Sequence, residues 1–308
     1  MTTHKSGEPS FRAAEGPLLT AAGLDAREIS VAGRSVQLTE GKTGRPAVML
    51  HSTGSCGLLL GPLLGSLSGL KVIAPDRPGY GMSEPVDLPR NRFREAAVEW
   101  TGRLLDALEL DSTVLCGHSG GALWALWYAL AHPTRVERLV LISPIQIPGT
   151  RVPPPFRILA TPGLGAVARK MMRPSEKSLL QLMDFFGDRE SMAAHPGLID
   201  LLVANARNPI AARTEREEVR ALGSPFALVT RAGFRRELRV EQKDLARLAV
   251  PTLIVWGERD PQGSVEVADA AAKAIPDGRL EVVPGAHFPW LTDPDRAAQV
   301  VGDFARGT

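Results

Sequence analysis

Residues 114–123, with the sequence VLCGHSGGAL, join an apolar strand to a helix through a serine that glycines flank. Gly117, Ser119 and Gly121 stand two residues apart. A turn tight enough to lift a serine hydroxyl clear of a sheet leaves no room for Cβ atoms at the two outer positions, and glycine supplies that room. The spacing therefore predicts a sharp turn with Ser119 at its tip.

The residues on either side provide the setting that such a turn needs. Residues 113–116 form a short apolar run typical of a buried strand, and residues 122–130 are uninterrupted helix formers that stop before Pro133. A G-x-S-x-G pattern between a strand and a helix is the nucleophile elbow. An exposed serine in a glycine-rich loop would explain the five residues alone, but the flanking elements favour the elbow.

The composition argues against several classes of protein. A chain of 308 residues with 44% hydrophobic content can bury a large core. Its net charge of +2 does not suggest nucleic acid as a partner. Cys56 and Cys116 suggest neither a disulfide framework nor a metal cluster. We see no secretory signal and no apolar run long enough for a membrane span, so we expect a cytoplasmic protein without membrane contact.

Eight segments have the pattern of a strand. They lie at residues 28–31, 35–38, 46–50, 72–74, 113–116, 139–142, 252–255 and 280–283. The first two alternate polar and apolar residues, as in a hairpin. From the third onward the segments alternate with helical patterns, and most are continuously apolar. This predicts an α/β fold, with a mostly parallel sheet covered by helices on both faces.

The alternation stops between residues 146 and 236, where only helical segments punctuated by proline occur. We interpret this region as a helical lid inserted into a core of residues 27–145 and 237–308. An independent helical domain is the alternative, but the strand pattern resumes after the insertion. Residues 1–26 are expected to be a flexible or loosely docked arm.

Candidate reactive residues follow the strands. In an open parallel sheet such groups collect beyond the carboxyl ends of the strands. Ser119, Asp260 and His287 each stand there, in the chain order expected of a Ser-Asp-His triad. His287 is the histidine that follows the last strand. Glu258 lies in the same loop as Asp260 and competes for the role of the acid.

These features together resemble the α/β-hydrolase fold superfamily, in its lidded esterase, lactonase and haloperoxidase-like branch. The likeness covers about residues 28–145 and 237–306. It depends on four segments, residues 117–121, 76–83, 257–260 and 285–287. The resemblance implies that Ser119 is the nucleophile, that His287 is its base and that Asp260 orients the imidazole.

The resemblance also implies an oxyanion hole. The N–H of Gly120 is expected to be one donor, and the N–H of Thr53, in the loop after the third strand, the other. Ser52 stands where the family usually has glycine, which departs from the pattern. The hydroxyl of Ser52 or Thr53 is a candidate third donor. The turn from Asp76 to Ser83 is assigned mainly to structure, with Asp76 closing the loop.

A serine nucleophile argues against haloalkane dehalogenase and epoxide hydrolase chemistry. We expect the lid to select a small hydrophobic ester or lactone. Its apolar candidates for packing or lining a pocket are Ile158, Leu159, Leu182, Met183, Phe185, Phe186, Leu201 and Leu202. No phosphate loop, dinucleotide fingerprint or metal cluster occurs, so we expect no cofactor and no metal, and a small-molecule substrate as the partner.

Other activities stay open on the same residues. One is a carbon–carbon bond hydrolase, or a cofactor-free lyase or cyclase. Another is a proline-iminopeptidase-like enzyme, which needs a lid acid to hold a free amine. The acids available for that role are Asp184, Asp188, Glu190 and Asp200. The contrasting class is a small-molecule receptor on a hydrolase fold.

Overall fold

The computed structural model describes residues 8–171, 173–224, 226, 228 and 233–307. Eight strands form one sheet in the order β1-β2-β4-β3-β5-β6-β7-β8. Their bounds are Asp25–Val31 (β1), Arg34–Gly41 (β2), Arg45–Leu50 (β3), Leu70–Pro75 (β4), Thr113–His118 (β5), Val136–Ile142 (β6), Thr252–Gly257 (β7) and Gly278–Val283 (β8). The pairs from β4 through β8 are parallel, whereas β2 is antiparallel to both β1 and β4. The mostly parallel, eight-stranded sheet predicted from sequence is confirmed.

Helices cover both faces of the sheet. Their bounds are Glu8–Ala22 (α1), Gly61–Ser66 (α2), Phe93–Ala107 (α3), Gly120–Ala131 (α4), Pro154–Ala160 (α5), Leu164–Met171 (α6), Glu176–Asp184 (α7), Arg189–Ala193 (α8), Pro196–Arg207 (α9), Pro209–Leu222 (α10), Gln242–Leu245 (α11), Val265–Ala274 (α12), Pro289–Thr292 (α13) and Pro294–Arg306 (α14). Within the described ranges, none of them has the length and apolar character needed to cross a bilayer.

Alternate residues of the central strands enter two separate hydrophobic clusters. Leu115 of β5 packs in the cluster that α3, α4 and α12 complete, whereas Cys116 packs in the one with α2 and α14. Successive side chains of a strand point to opposite faces, so a continuously apolar strand must be buried on both. This is why the central runs show no alternation of polar and apolar residues.

The helices α5 to α10 lie between β6 and β7 in the chain, and we call them the lid. α9 contacts α1, α7 and α10, and α10 also contacts α5, so the lid helices pack on one another. Prolines open α5, α9 and α10, where the absent N–H costs no helical hydrogen bond. The sequence pattern did not show α5 and α8 as separate helices.

The N-terminal segment differs from the flexible or loosely docked arm expected over residues 1–26. Residues 1–7 lie outside the described part, but Glu8–Ala22 is a helix that packs against α9 and α2. Phe11 is buried, and Ala14 and Leu18 pack on the same apolar cluster. Spacings of three and four residues place these side chains on one helix face. That stripe is the signal that the arm interpretation overlooked.

Candidate active site

The turn between β5 and α4 is as tight as its glycines suggest. Ser119 has φ 53° and ψ −115°, a backbone conformation that is costly for a residue with a Cβ. A Cβ on Gly117 would lie 2.4 Å from the carbonyl oxygen of Gly121, and one on Gly121 would lie 2.1 Å from that of Leu50. Both positions therefore admit only glycine. The Ser119 N–H donates to the carbonyl of Ile142 at 3.0 Å, which ties the turn to β6.

Ser119, His287 and Asp260 form one hydrogen-bonded chain. Ser119 Oγ lies 3.0 Å from His287 Nε2, and His287 Nδ1 lies 2.9 Å from Asp260 Oδ2. All three side chains are buried. Because the carboxylate accepts from Nδ1, the lone pair of Nε2 faces the serine hydroxyl. Glu258, the competing acid, is exposed, whereas Asp260 is buried beside His287.

The two residues expected at the oxyanion hole lie side by side. The position of a Cβ on Gly120 is 3.3 Å from Thr53 N and 2.4 Å from Thr53 Oγ1. Thr53 Oγ1 is buried and has no hydrogen-bond partner among the described residues. Ser52 Oγ instead lies 3.0 Å from Ser55 Oγ. Of the two hydroxyls considered as a third donor, that of Thr53 faces the elbow.

The loop after β3 accepts serine in place of the usual glycine. Ser52 is not among the described non-glycine residues with positive φ, so its Cβ imposes no backbone strain. His51 Nδ1–H donates to the Ser52 carbonyl at 2.8 Å, and His51 Nε2 accepts from the Arg77 N–H at 2.7 Å. Burial, with the charge of Arg77, holds the pKa of His51 well below its usual range. His51 is therefore a neutral residue that shapes the loop.

Asp76 closes the turn that follows β4. Its carboxyl oxygens accept from the N–H of Gly57 at 2.7 Å and of Met82 at 2.9 Å. Gly81 has a positive φ, and a Cβ there would lie 1.9 Å from Asp76 Oδ2. Burial raises the pKa of Asp76 to about 7. These contacts agree with the structural role assigned to Asp76.

The same turn carries a buried ion pair with the lid. Arg77 donates to Glu218 of α10 at 2.8 Å, and both side chains are almost fully buried. Tyr80 O–H donates to the other carboxylate oxygen at 2.5 Å. Burial and the charge of Glu218 raise the pKa of Tyr80, so its hydroxyl keeps the proton that it donates. The guanidinium also stacks on Trp124, 4.7 Å from the ring centroid.

A second lid segment holds the loop of the candidate base. The ring of Phe186 stacks on the imidazole of His287 at a centroid distance of 4.9 Å. The backbone N–H of His287 donates to the Phe186 carbonyl at 3.3 Å, and the backbone N–H of Phe288 donates to Asp188 Oδ2 at 3.0 Å. Burial raises the pKa of Asp188 to about 6. We call Phe186, Gly187 and Asp188 the lid clamp.

His118 and Gln262 complete the surroundings of His287. His118 Nε2–H donates to the His287 carbonyl at 2.9 Å, and its ring packs against Trp290 at 4.5 Å. Burial and the neighbouring His287 hold the pKa of His118 well below its usual range. The side-chain amide of Gln262 lies 3.1 Å from His287 Nε2. Sequence analysis did not single out Gln262, whose only signal is its place two residues after the acid.

A cavity of about 170 Å³ opens above Ser119 and is lined mainly by apolar side chains. Of the lid candidates, four line it, namely Leu182, Met183, Phe186 and Leu202. Leu159 and Leu201 are buried outside its lining, and Ile158 and Phe185 are exposed. The eight apolar lid residues therefore divide into those that line the cavity, where a substrate would bind, and those that do not.

The lid acids considered for an amine site lie elsewhere. Asp184, Glu190 and Asp200 are exposed, and Asp188 is engaged with the loop of His287. Helix α10 instead places Glu215 in the lining of the cavity. Sequence alone gave no reason to choose Glu215, because helices of the lid carry no motif that orients them on the sheet.

Comparison with known proteins agrees with this architecture. The model of the alpha/beta hydrolase family matches residues 47–300. The 2-hydroxymuconate semialdehyde hydrolase of Pseudomonas sp. (strain CF600) is 31% identical over 291 residues, which cover 90% of this chain and 93% of that protein.

Two solved structures show the same fold. Carboxylesterase CesB of Bacillus subtilis has a TM-score of 0.72 at 22% identity, covering 98% of this chain and 99% of its own. The 2-hydroxy-6-oxo-6-phenylhexa-2,4-dienoate hydrolase of Rhodococcus sp. strain RHA1 has a TM-score of 0.70 at 18% identity, covering 92% and 99%. This chain belongs to the alpha/beta hydrolase family.

Proposed function

We propose that this protein is a serine hydrolase that cleaves a small, neutral, hydrophobic ester or lactone through an acyl-enzyme on Ser119. The observation that carries the proposal is the hydrogen-bonded chain from Ser119 through His287 to Asp260, at the floor of an apolar cavity. A serine hydroxyl is a weak nucleophile at its own pKa and needs a base within hydrogen-bond reach. His287 Nε2 stands at that distance.

The reaction then follows from the positions of these groups. His287 takes the proton of Ser119 as Oγ attacks the substrate carbonyl, and returns it to the leaving group. Asp260 holds the imidazole in the tautomer that accepts from Ser119 and stabilises its protonated form. The N–H groups of Gly120 and Thr53 stabilise the oxyanion, and the Thr53 hydroxyl adds a donor.

The cavity argues against an anionic substrate. Its described lining contains no lysine and no arginine, and its one carboxylate is that of Glu215. Arg77, whose guanidinium stacks on Trp124 of α4, is paired with Glu218. An anionic substrate would lose its hydration, and the described lining offers no lysine or arginine to replace it, which is costly in a buried site. A neutral acyl group avoids this penalty.

Carbon–carbon bond hydrolysis is the second candidate, and the relatives favour it. Besides the semialdehyde hydrolase, a 2-hydroxy-6-oxononadienedioate/2-hydroxy-6-oxononatrienedioate hydrolase of Cupriavidus pinatubonensis is 28% identical over 255 residues. Its name denotes a substrate with two carboxylates. A cavity lined as described here suits such a dianion poorly, which is why we place the ester or lactone first. A lyase or cyclase reaction has no observation of its own in its favour.

The remaining alternatives rest on single features. An aminopeptidase of the proline-iminopeptidase kind needs a lid acid facing the substrate, and Glu215 is the described side chain that meets this condition. A receptor on a hydrolase fold needs ligand binding without turnover, which a hydrogen-bonded serine and histidine do not favour. We keep the cytoplasmic location as a prediction.

The test is turnover of p-nitrophenyl esters graded by acyl length, together with lactones, 2-hydroxymuconate semialdehyde and proline p-nitroanilide. We expect kcat/KM to be highest for a short neutral ester or lactone, and Ser119→Ala to abolish it. Preference for the semialdehyde would transfer the assignment to carbon–carbon hydrolysis. A folded parent with no turnover on any of these substrates would contradict the proposal.

A further inference from the structure

Gln262 is a buried polar residue whose side-chain oxygen lacks a hydrogen-bond partner among the described residues. It is 4% exposed and lines the cavity. Its amide nitrogen lies 3.1 Å from His287 Nε2 and 3.4 Å from Nδ1, whereas its Oε1 is buried without a hydrogen-bond partner among the described residues. A buried oxygen left unsatisfied costs free energy, so one on a residue that lines a cavity beside the base points to a ligand.

The backbone of Gln262 holds this side chain in place. Its N–H donates to Asp260 Oδ1 at 2.9 Å, the oxygen that does not contact His287. Its carbonyl accepts from the Arg151 N–H at 2.9 Å, which joins it to the segment that leads into the lid. Gln262 is thus fixed to the acid through its backbone and to the base through its side chain.

The hydrogen bonds available to His287 suggest which ligand this is. Nε2 has a single lone pair, and in the resting enzyme the Ser119 hydroxyl at 3.0 Å and the Gln262 amide at 3.1 Å both point at it. In an acyl-enzyme, Ser119 Oγ carries no hydrogen, so a water molecule can take the place of the hydroxyl at Nε2. A water molecule there has two hydrogens to donate. One goes to Nε2, and Oε1 of Gln262 is the acceptor for the other.

We propose that Gln262 binds and orients the water that hydrolyses the acyl-enzyme, an inference that rests on the proposed function. The water oxygen forms a bond to the acyl carbon while its proton passes to His287 Nε2. The tetrahedral intermediate then breaks its bond to Ser119 Oγ, which takes that proton back. The products are the free carboxylic acid and the Ser119 hydroxyl. Gln262 holds the second hydrogen of the water throughout and exchanges no proton.

Methanol provides a sharp test because it has only one O–H hydrogen. That hydrogen goes to His287, which leaves nothing for Gln262 to accept. We therefore compare hydrolysis and methanolysis of the same acyl-enzyme, formed from a p-nitrophenyl ester in buffer with methanol. The readout is the ratio of methyl ester to free acid, which does not depend on how much of the variant is correctly folded.

In Gln262→Met we expect hydrolysis to slow on the order of 10²-fold and methanolysis to stay within about threefold, so that the product ratio rises by nearly the same factor. Gln262→Glu keeps an acceptor and is expected to retain the ratio of the parent. A ratio that is unchanged in Gln262→Met, or that rises equally in both variants, would overturn the inference.

The two proposals fail in different ways. If the parent forms neither acid nor acyl-enzyme from any ester, the proposed function is wrong. If the parent hydrolyses the ester and Gln262→Met loses acylation but keeps the product ratio, only the role of Gln262 is wrong. In that case its amide binds the substrate instead of the water.

Discussion

The loops that follow the strands of the sheet and the helices of the lid border the same cavity, but different kinds of contact hold them in place. We call the former the sheet loops. The loops supply the groups that we expect to react, and their turns are fixed by backbone hydrogen bonds and by glycines that admit no side chain. The lid supplies apolar lining and several buried polar attachments to the loops. Two of these attachments join Glu218 to Arg77 and Asp188 to the loop of His287.

The difference suggests a division of labour. A turn whose glycines lie within five residues can position a nucleophile whatever helices cover it. These two lid attachments, in contrast, pair residues 141 and 100 positions apart, so each depends on the complete fold. We therefore expect changes in the loops to affect the reaction and changes in the attachments to affect stability or the alignment of His287.

The largest effect that we predict here is on the sheet side. Asp260→Asn should lower kcat by about 10⁴, because the amide no longer selects the productive imidazole tautomer. Glu258→Gln, two residues away, removes an exposed acid and should leave kcat unchanged. Steady-state kinetics on one ester measures both. If the two variants lost activity equally, Asp260 would not be the acid.

The buried ion pair between Glu218 of the lid and Arg77 should contribute to the free energy of unfolding. Glu218→Gln leaves the Arg77 charge buried and uncompensated, so we expect a loss of about 3–5 kcal/mol in the free energy of unfolding. The neighbouring Glu217 pairs with Arg213 on the exposed face of α10, and Glu217→Gln should cost less than about 1 kcal/mol. Urea unfolding compares them. Similar losses would show that burial of the pair contributes nothing special.

The carboxyl of Asp76, in the turn that follows β4, should make the free energy of unfolding depend on pH. Its folded pKa of about 7 lies above the unfolded value of about 3.9, so the protonated carboxyl favours the fold. That contribution is complete below about pH 4 and is lost as pH rises through about 7, by up to about 4 kcal/mol. Asp76→Asn cannot titrate. Urea unfolding between pH 4 and 8 should show the parent losing stability relative to the variant, and a constant difference would refute this.

The smallest effect that we predict concerns the lid clamp. Above about pH 6 Asp188 carries a charge that interacts with His287. Asp188→Asn keeps an acceptor for the Phe288 N–H but removes that charge, so kcat at pH 8 should fall about tenfold, or about 1.4 kcal/mol. Near pH 5 the parent and the variant should converge, because the carboxyl is then protonated.

Asp184→Asn is the matched control for the clamp. Asp184 lies in the same lid segment but is exposed and paired with Arg189. Its removal should leave the pH–rate profile of kcat unchanged. A loss that is equal at pH 5 and pH 8 in Asp188→Asn would mean that the carboxylate acts through packing alone.

The difference between the sheet loops and the lid attachments also explains which features the sequence could predict. The central strands can be located because a strand buried on both faces must be apolar throughout, and the elbow because its sterics demand glycine at two fixed positions. Ser119, Asp260 and His287 stand next to strand ends, so the parallel order of the sheet brings them together. Their contacts need no information from distant side chains.

The contacts that sequence analysis missed have no local pattern. Glu218 is one of several acids on α10, and nothing in that helix distinguishes it from Glu217 until the helix is placed on the Asp76–Ser83 turn. Asp188 is a candidate amine ligand by sequence, but its carboxylate accepts from the Phe288 N–H in the loop of His287. The α1 stripe was missed for another reason, since its apolar residues are few and Pro17 interrupts the pattern.

The most direct test of the account is rapid-quench mass spectrometry of the parent mixed with a p-nitrophenyl ester. We predict a transient mass increase equal to the acyl group, located on the peptide that contains Ser119 and absent from Ser119→Ala. Ester turnover at the parent rate in Ser119→Ala, or an acyl group on another residue, would contradict the central claim that Ser119 is the nucleophile.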